Sequence, residues 1–374
     1  MIRLEPRVER PRRLSVLVPL GSVVVALVLG GVIVALDGAD PIATYERILD
    51  RGFLADGALS ATLIAATPLL FTGLAAAVAF RMNVFNIGGE GQFVMGAVGA
   101  SAAGLAVGDG PLAVTVAAML LAGAAAGAAW AAIAGALRAW ANTNEIITTL
   151  MLNYLAANLA EYLIFGSKSY WRQLEGTGLM FPQGRPLVAR AFWPRYDLGP
   201  VEVPLGFAIG VAVAVGLAVL LRTTRFGFQV RVIADEPRAA RFAGIRTRRA
   251  VFVLLALSGA VAGLGGAADV GDTRHVLDPK ALSQVGYGYA GIVVAALARL
   301  NPLAVVLTAV LMGGLANAGR SLQGPDFPSG LVGTLQGLIL LCVLAGEAFA
   351  RYRIRRVPRV AVDPEAADPV GAGA

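Results

Sequence analysis

The sequence predicts an all-α polytopic membrane protein with about ten transmembrane helices. Hydrophobic residues make up 57% of its 374 residues, charged residues make up only 15%, and the mean hydropathy is +0.71. A soluble domain carries about 25% charged residues, so this chain has too few charges to cover a water-soluble protein of its size. Apolar windows of about 17 to 25 residues, the length that crosses a bilayer, recur along the chain.

Ten apolar windows are predicted to cross the membrane within a single transmembrane domain, residues 14–350. The first window follows a basic arm, residues 1–13, and has no small-residue cleavage site before Asp37. We therefore predict a retained helix rather than a signal peptide. The third and eighth windows are short and rich in glycine or tyrosine, which makes them the least typical spans. The windows are Leu14–Leu36, Ala58–Phe80, Gly91–Val107, Pro111–Leu137, Glu145–Phe165, Val201–Leu221, Val251–Ala267, Gln284–Ala298, Pro302–Gly319 and Gly330–Ala350.

The distribution of basic residues predicts that both termini lie in the cytoplasm. Cytoplasmic loops carry an excess of Lys and Arg, and with ten spans 21 of the 31 basic residues fall on the side of the termini. Residues 166–200, here called the external segment, carry five basic residues on the opposite side, and their aromatic and proline content predicts a partly folded structure. The tail, residues 351–374, begins basic and ends rich in Ala, Pro, Asp and Gly, which predicts disorder.

Glycine is unusually frequent, at 46 of 374 residues. Small residues spaced four apart let transmembrane helices approach closely where lipid supplies no hydrophobic driving force. We predict that Gly123 and Gly127 pack in this way, as do Gly259 and Gly263.

A weak internal repeat predicts two halves of opposite topology. The stretch PLAVTVAAMLLAGAAAGA from Pro111 resembles PLAVVLTAVLMGGLANAG from Pro302, and a glycine-rich stretch precedes each copy. In the ten-span arrangement the two copies run in opposite directions. Transporters with inverted repeats place the solute route between the halves and line it with discontinuous helices. Chance similarity between alanine- and glycine-rich stretches is the alternative.

The chain lacks the residues for ordinary catalytic or metal chemistry. It has one histidine, His275, and one cysteine, Cys342, which excludes His- or Cys-dependent triads and metal clusters within one chain. It also lacks the G-x-x-x-x-G-K-[ST] loop that binds nucleotide phosphates. We therefore predict no catalytic residue, no metal site and no cofactor bound by this chain, and an ATP-driven transporter would need a separate ATPase.

Polar residues at a break between the second and third spans are candidates to line a solute route. Irregular backbone at membrane depth is tolerated only where it is buried in protein or lines a cavity. Paired tyrosines in the second repeat copy could stack on a flat or ring-shaped solute. The alternatives are that Glu90 only stabilises the start of its own helix and that the tyrosines anchor at the membrane interface. These candidates are Asn83, Asn86, Glu90, Gln92, Tyr287 and Tyr289.

A polar stripe on the fifth span is the second candidate for the solute route. Glu145, Thr149 and Asn153 follow one another at intervals of four residues, and Thr148 lies one turn from Glu145, so they share one helix face. Polar groups inside a bilayer usually face the bundle interior or a water-filled route. Two structural alternatives remain: Asn142 and Glu145 could form a capping box, and the threonines could bond neighbouring helices.

A short helix is predicted within the coupling loop, residues 222–250. Asp235, Glu236 and Pro237 form a good helix start, because a carboxylate caps free N–H groups and proline is tolerated in the first turn. Gly244 is a plausible end. Such a helix between two spans is a suitable lever for a partner protein. The alternative is that the eight basic residues of this loop only hold it at an anionic membrane surface.

Four stretches, in this order, resemble the permease subunits of bacterial ABC importers for nucleosides and related solutes. That family lies within the broader group of simple-sugar and branched-chain amino-acid permeases. The resemblance covers about residues 58–345, and the first two stretches are specific to the nucleoside branch. The stretches are FNIGGEGQFVMGAVGA, NEIITTLMLNYLA, TTRFGFQVRVIADEPRAARFAGI and GYGYAGIVVAALARLNP.

The resemblance implies a multi-pass subunit of the bacterial cytoplasmic membrane that works by alternating access within a larger importer. The implied partners are a cytoplasmic ABC ATPase that holds the ATP and Mg, an external solute-binding lipoprotein and a second, unlike permease, in a lipid bilayer and without nucleic acid. The chain length and the external segment resemble the larger of two unlike permeases. A simple-sugar importer and an ion-coupled secondary transporter are the alternatives.

The resemblance also implies that the short helix of the coupling loop docks into the ATPase. The family's usual RA-x-G-x-N stretch reads RVIADE here, from Arg231 to Glu236, which leaves the first half of the contact open. The residues implied to couple to the ATPase are Glu236, Pro237, Ala239, Ala240, Gly244 and Ile245.

Overall fold

A computed structural model describes residues 2–6, 12–322 and 330–356 of the protein. The predicted disordered tail lies largely outside these residues, as does part of the basic arm. The described ranges are mainly helical. The helices are α1 (Arg12–Leu36), α2 (Pro41–Leu49), α3 (Ala58–Phe80), α4 (Gly89–Val107), α5 (Leu112–Ala141), α6 (Glu145–Glu161), α7 (Leu205–Thr223), α8 (Arg225–Asp235), α9 (Pro237–Phe242), α10 (Thr247–Ala268), α11 (Pro279–Val285), α12 (Tyr287–Leu297), α13 (Pro302–Ser321) and α14 (Leu331–Arg351).

Three α-helices continue into a π-helical turn. Asp50–Leu54 follows α2, Tyr162–Gly166 follows α6, and Asp269–Arg274 follows α10. Four short strands form two antiparallel pairs: β1 (Ile2–Pro6) with β4 (Tyr352–Arg356), and β2 (Arg195–Leu198) with β3 (Val201–Pro204). The β1–β4 pair brings the two ends of the described chain together.

Most helices overlap the predicted windows, and α3 has the predicted bounds. The eighth window is wrong as a single span, because the left-handed residue Gly286 separates α11 from α12 within it. Among the described residues, five helical segments are long and apolar enough to cross a membrane: α3, α5, α7, Thr247–Arg274 and α13. The protein is therefore a polytopic helical membrane protein, whereas the number of ten spans stays a prediction. The sixth window was predicted four residues too long, since Val201–Pro204 forms a strand and α7 begins only after Pro204.

Helix α3 is the centre of the bundle. Its large side chains Leu70, Phe71 and Leu74 are completely buried, and α10, α12 and α13 pack around it. A helix that is apolar on all sides and buried on all sides fits an interior position. Helices α10 and α12, which both contribute to the candidate site, therefore rest on this central helix.

Helices α5 and α10 approach each other through the predicted glycines. A Cβ atom on Gly127 would lie 2.8 Å from the Cα of Gly263, and one on Gly123 would lie 3.0 Å from the carbonyl oxygen of Gly263. A larger side chain at either position would push the helices apart. The predicted small-residue packing is confirmed for this pair of helices.

The external segment is folded against the π-helical turn at the end of α10. The backbone N–H of Leu187 donates to the carbonyl of His275 at 2.8 Å, and that of Trp193 donates to the carbonyl of Gly271 at 3.0 Å. Phe192 stacks on the His275 ring, with ring centroids 3.6 Å apart. These contacts hold the segment as a partly folded cap over one end of the bundle.

Candidate functional site

Residues 81–88 interrupt the helical path between α3 and α4 and are here called the break segment. Asn83 adopts a left-handed backbone conformation with φ 58°, which asparagine tolerates better than most residues. The segment lacks regular secondary structure from Val84 to Ile87. Its backbone N–H and C=O groups therefore need partners outside a helix, and these partners form the candidate site.

The polar stripe of α6 supplies several of those partners. Asn153 accepts the backbone N–H of Gly91 at 2.8 Å and donates to the carbonyl of Ile87 at 2.9 Å. Thr149 accepts the N–H of Ile87 at 3.2 Å. Thr148 lies off this face and bonds the backbone of its own helix. Asn153 and Thr149 are buried, so the stripe holds the break segment in place.

Glu145 begins the stripe and joins three elements. It pairs with Arg138 of α5 at 3.1 Å, and its Oε1 lies 3.4 Å from the backbone N–H of Phe85. The suggested capping box of Asn142 and Glu145 is wrong. Asn142 is left-handed and ends α5, whereas Asn144 caps α6 by accepting the backbone N–H two residues later at 2.9 Å.

Asn86 and Gln92 form a reciprocal amide pair at the start of α4. Each amide donates to the other's oxygen at 2.9 Å. The Asn86 oxygen also accepts the N–H of Gly88 at 2.9 Å, and its amide donates to the hydroxyl of Ser258 on α10 at 2.9 Å. Ser258 in turn donates to the carbonyl of Ala75 on α3 at 2.7 Å. This buried network fixes the break segment to α3 and α10.

Glu90 joins the first turns of α4 and α12. Its Oε2 accepts the backbone N–H of Gly288 at 2.5 Å, so it caps the opposing helix as well as lying in the first turn of its own. A Cβ atom on Gly288 would lie 2.6 Å from the Cα of Glu90. We call this contact the junction. Among the described residues, the buried Oε1 of Glu90 has no hydrogen-bond partner.

Only one of the two candidate tyrosines presents its ring. Tyr287 is buried, its ring centroid lies 5.4 Å from that of Phe93, and its carbonyl accepts the hydroxyl of Thr72 at 2.9 Å. Tyr289 is 41% exposed, and its hydroxyl accepts the Asn153 amide at 3.2 Å. A sandwich of a solute between both rings is therefore not available in this conformation.

Asn83 lies apart from this cluster. It is exposed, and its amide donates to the carbonyl of Ala234 in the last turn of α8 at 2.9 Å. The structure thus brings Asn86, Glu90, Gln92, Asn153 and Tyr289 together but places Asn83 against the coupling loop. Sequence reasoning missed Ser258, which no motif singles out.

The coupling helix α9 begins and ends where the sequence predicts. Glu236 accepts the backbone N–H of Arg238 at 3.1 Å, and Pro237 occupies the first turn. The helix stops before Gly244, which has φ 75°, a backbone conformation that glycine adopts without strain. Local capping therefore accounts for this helix.

The exposed surface of α9 differs from the predicted contact set. Ala240 is completely buried, so it packs against the neighbouring helices and is not on the exposed face of α9. Phe242, which the motif comparison did not include, is 94% exposed. Ala243 and Gly244, which follow Phe242 in the chain, line a cavity of about 500 Å³. Its lining residues are Phe226, Gln229, Ala243, Gly244, Ile245, Arg246, Arg249, Ala250 and Val253.

Asn153→Leu is expected to destabilise the purified protein. The substitution leaves the N–H of Gly91 and the carbonyl of Ile87 without side-chain partners, and each unsatisfied buried group costs about 1–3 kcal/mol. The melting temperature in detergent should fall by several degrees. The matched control is Asn158→Leu, because Asn158 bonds only the carbonyl of Tyr154 on its own exposed helix face. Equal melting temperatures for both variants would refute the role assigned to Asn153.

The stretch of the chain that contains these sites is similar to known permeases. Residues 58–344 match the family described as branched-chain amino acid transport system, permease component. The chain is 32% identical over 363 residues to the glucose ABC transporter permease protein of Haloferax volcanii, covering 94% of this chain and 93% of that protein.

Two further relatives are named for nucleosides. The guanosine ABC transporter permease protein of Bacillus subtilis is 30% identical over 340 residues, covering 90% of this chain and 95% of that protein. The nucleoside ABC transporter permease protein of Lactococcus lactis subsp. cremoris is 27% identical over 334 residues, covering 88% and 90%. The predicted resemblance to nucleoside-type ABC permeases is confirmed.

Permeases of this kind are transport subunits, and ATP hydrolysis takes place on a separate ATPase. The family match covers most of the helical bundle, including the break segment, the polar stripe and the coupling helix. The chain therefore belongs to the ABC-transporter permease family described as the permease component of branched-chain amino acid transport systems, and it is a multi-pass membrane permease rather than an enzyme.

Proposed function

We propose that this permease carries nucleosides or closely related solutes from an external binding protein into the cytoplasm by alternating access. The observation that carries the route is the junction, where the first turns of α4 and α12 meet around Glu90. Two helix N-termini with a buried carboxylate oxygen between them form a polar site inside an apolar bundle. Inverted repeats of transporters place discontinuous helices at such a site.

The proposed arrangement of two inverted halves gains support from the same contact. The helices that meet head to head, α4 and α12, are the two copies of the glycine-rich stretch that precedes each repeat. The pairing of β1 with β4 supports both termini on one side of the membrane. The excess of basic residues on that side favours the cytoplasm of a bacterial cell.

We assign the docking of the ATPase to α9 and its neighbourhood. The ATPase would hold the ATP and Mg and would move α9 when it closes. Phe242, exposed on a capped helix, is suited to fill an apolar pocket in the partner, because buried aromatic anchors dominate many protein interfaces. The exposed residues Glu236, Pro237, Ala239 and Gly244 surround it.

The outer face is assigned to the binding lipoprotein, and a second, unlike permease completes the membrane part. The external segment is the main folded element outside the helices, and it encloses a cavity of about 480 Å³ on its surface. This cavity is lined by the basic residues Lys168, Arg172 and Arg185 together with Glu175. Its composition is suited to an acidic contact from a partner protein.

Nucleosides are favoured as solute by the ring of Tyr289. A flat base can stack on an aromatic side chain for about 1–3 kcal/mol, and Tyr289 is exposed beside Asn153. Two relatives are named for guanosine and nucleosides. A sugar is the second candidate, because the glucose permease of Haloferax volcanii is 32% identical.

Tyr289→Ala is expected to reduce nucleoside uptake by about tenfold, since the loss of base stacking costs about 1–3 kcal/mol. Tyr289→Phe keeps the ring and removes only the hydroxyl that accepts the Asn153 amide, so its uptake should stay within about threefold of the unmodified protein. Both are measured as initial uptake rates at equal amounts of assembled complex. Equal uptake by Tyr289→Ala would remove Tyr289 from the route.

The proposed solute class is tested by uptake in cells that lack this permease. Restoring the gene should restore accumulation of labelled nucleosides, and unlabelled nucleosides should compete while glucose should not. Competition by glucose alone would establish the sugar alternative instead.

A further inference from the structure

The end of the break segment nearest the coupling loop is bonded to α8. The Asn83 amide donates to the Ala234 carbonyl at 2.9 Å. The last four carbonyls of a helix have no partner within that helix, and Ala234 lies in the last turn of α8. Asn83 therefore caps the C-terminus of α8 at Ala234, two residues before Glu236, which caps the N-terminus of α9.

The same end of the break segment also touches the second repeat copy. Arg81 donates from Nε to the carbonyl of Leu300, in the turn between α12 and α13, at 2.8 Å. Burial, together with the positive charges of Arg222 and Arg231, lowers the pKa of Arg81 below its usual range. These arginines belong to the end of α7 and to α8, so the break segment, α8 and the α12–α13 turn come together here.

The other end of the break segment is bonded into the site. Asn86 lies three residues after Asn83, and its amide donates hydrogen bonds to Gln92 and Ser258. The backbone of Ile87 is hydrogen-bonded to the side chains of Asn153 and Thr149. The chain then enters α4, whose Glu90 accepts the N–H of Gly288. The chain between α8 and the junction is thus eight residues long, from Asn83 to Glu90, and it is bonded at both ends.

We propose that Asn83 is the positioning residue that transmits movement of the coupling helix to the solute route. This inference rests on the proposed function, because it needs α9 to be moved by the ATPase. Residues between two sites carry coupling when they belong to an element with two arrangements that both sites bias. We assign this role to the break segment, because one end is bonded to α8 and the other end is bonded to the side chains around the junction.

Two substitutions of Asn83 separate the hydrogen bond from the backbone conformation. Asn83→Gly keeps the left-handed conformation and removes the amide donor. Asn83→Asp keeps the size of the side chain but places an acceptor against the Ala234 carbonyl. The matched control is Asn142→Gly, because Asn142 is also left-handed, with φ 52°, and its side chain accepts a bond from Arg138 of its own helix, α5, at 3.4 Å.

The experiment uses the full transporter in vesicles, with ATP hydrolysis and uptake of labelled nucleoside measured in the same preparation. For both Asn83 variants we expect normal co-purification of the ATPase, continued ATP hydrolysis and about two- to tenfold less solute moved per ATP, the effect of one hydrogen bond. Asn142→Gly should keep the original ratio.

Two results would overturn the role of Asn83. One is an unchanged ratio of solute to ATP in both variants. The other is loss of the ATPase during purification, which would mean that Asn83 only holds α9 in its docking position. Failure of the proposed function is distinguishable, because the unmodified transporter would then show no ATP-dependent uptake.

Discussion

Gly288→Ala is expected to reduce uptake by about 5- to 150-fold, because forcing an added methyl group into a packed site costs about 1–3 kcal/mol. The new Cβ atom would lie 2.6 Å from the Cα of Glu90, well inside van der Waals contact. Relief requires α12 to move away from α4, which also breaks the bond between Glu90 and the Gly288 N–H. Uptake and melting temperature of the assembled complex are the measurements.

Gly216→Ala is the matched control for Gly288→Ala. Gly216 lies in α7, and no described atom beyond its chain neighbours and its own helix backbone lies within 4 Å of a Cβ built there. Alanine also favours helix over glycine by about 1 kcal/mol, so this variant should transport normally and melt no lower. Normal transport by Gly288→Ala would show that the close approach at the junction is not required.

Two substitutions of Glu90 test the hydrogen bond at the same junction. Glu90→Gln retains an oxygen that can accept the Gly288 N–H, whereas Glu90→Leu retains none. The first variant should therefore assemble, and the second should behave like Gly288→Ala. If Glu90→Gln assembles but takes up solute with a higher KM, the free carboxylate oxygen contacts the solute.

Phe242→Ala is expected to weaken binding of the ATPase by about 30-fold, because interface anchors of this kind contribute about 2 kcal/mol or more. The side chain is 94% exposed in the isolated chain, so its removal leaves the fold of the permease unchanged. The measurement is the affinity of the purified ATPase for the permease in detergent or nanodiscs.

Phe181→Ala is the control for Phe242→Ala. Phe181 is 73% exposed and lies in the external segment, on the face assigned to the binding lipoprotein. Its removal should leave the affinity for the ATPase unchanged. Equal affinities for Phe242→Ala and the unmodified permease would place the docking surface elsewhere.

The sequence predicted those parts of the molecule that depend on local patterns. The bounds of α3 follow from a continuous apolar window between Asp56 and Arg81. The start of α9 follows from a carboxylate followed by proline, and its end follows from Gly244. The polar stripe of α6 was also identified, because a spacing of four residues is a property of one helix.

The sequence did not predict which partners those residues meet, because the partners lie far away in the chain. Glu90 and Gly288 are separated by 198 positions, and the repeat related the two stretches that contain them without showing that these residues touch. The roles of Ala240 and Phe242 depend on which face of α9 rests on the bundle. An aromatic residue and an alanine in a short helix carry no signal for that orientation.

The central claim is that this permease moves nucleosides with energy from ATP. The most direct test reconstitutes the permease pair and its ATPase in vesicles and adds the binding protein with labelled nucleoside on the outer side. We predict uptake that requires both ATP and binding protein and that persists when ionophores collapse proton and sodium gradients. Uptake without ATP and binding protein that stops when an ion gradient collapses would contradict the account.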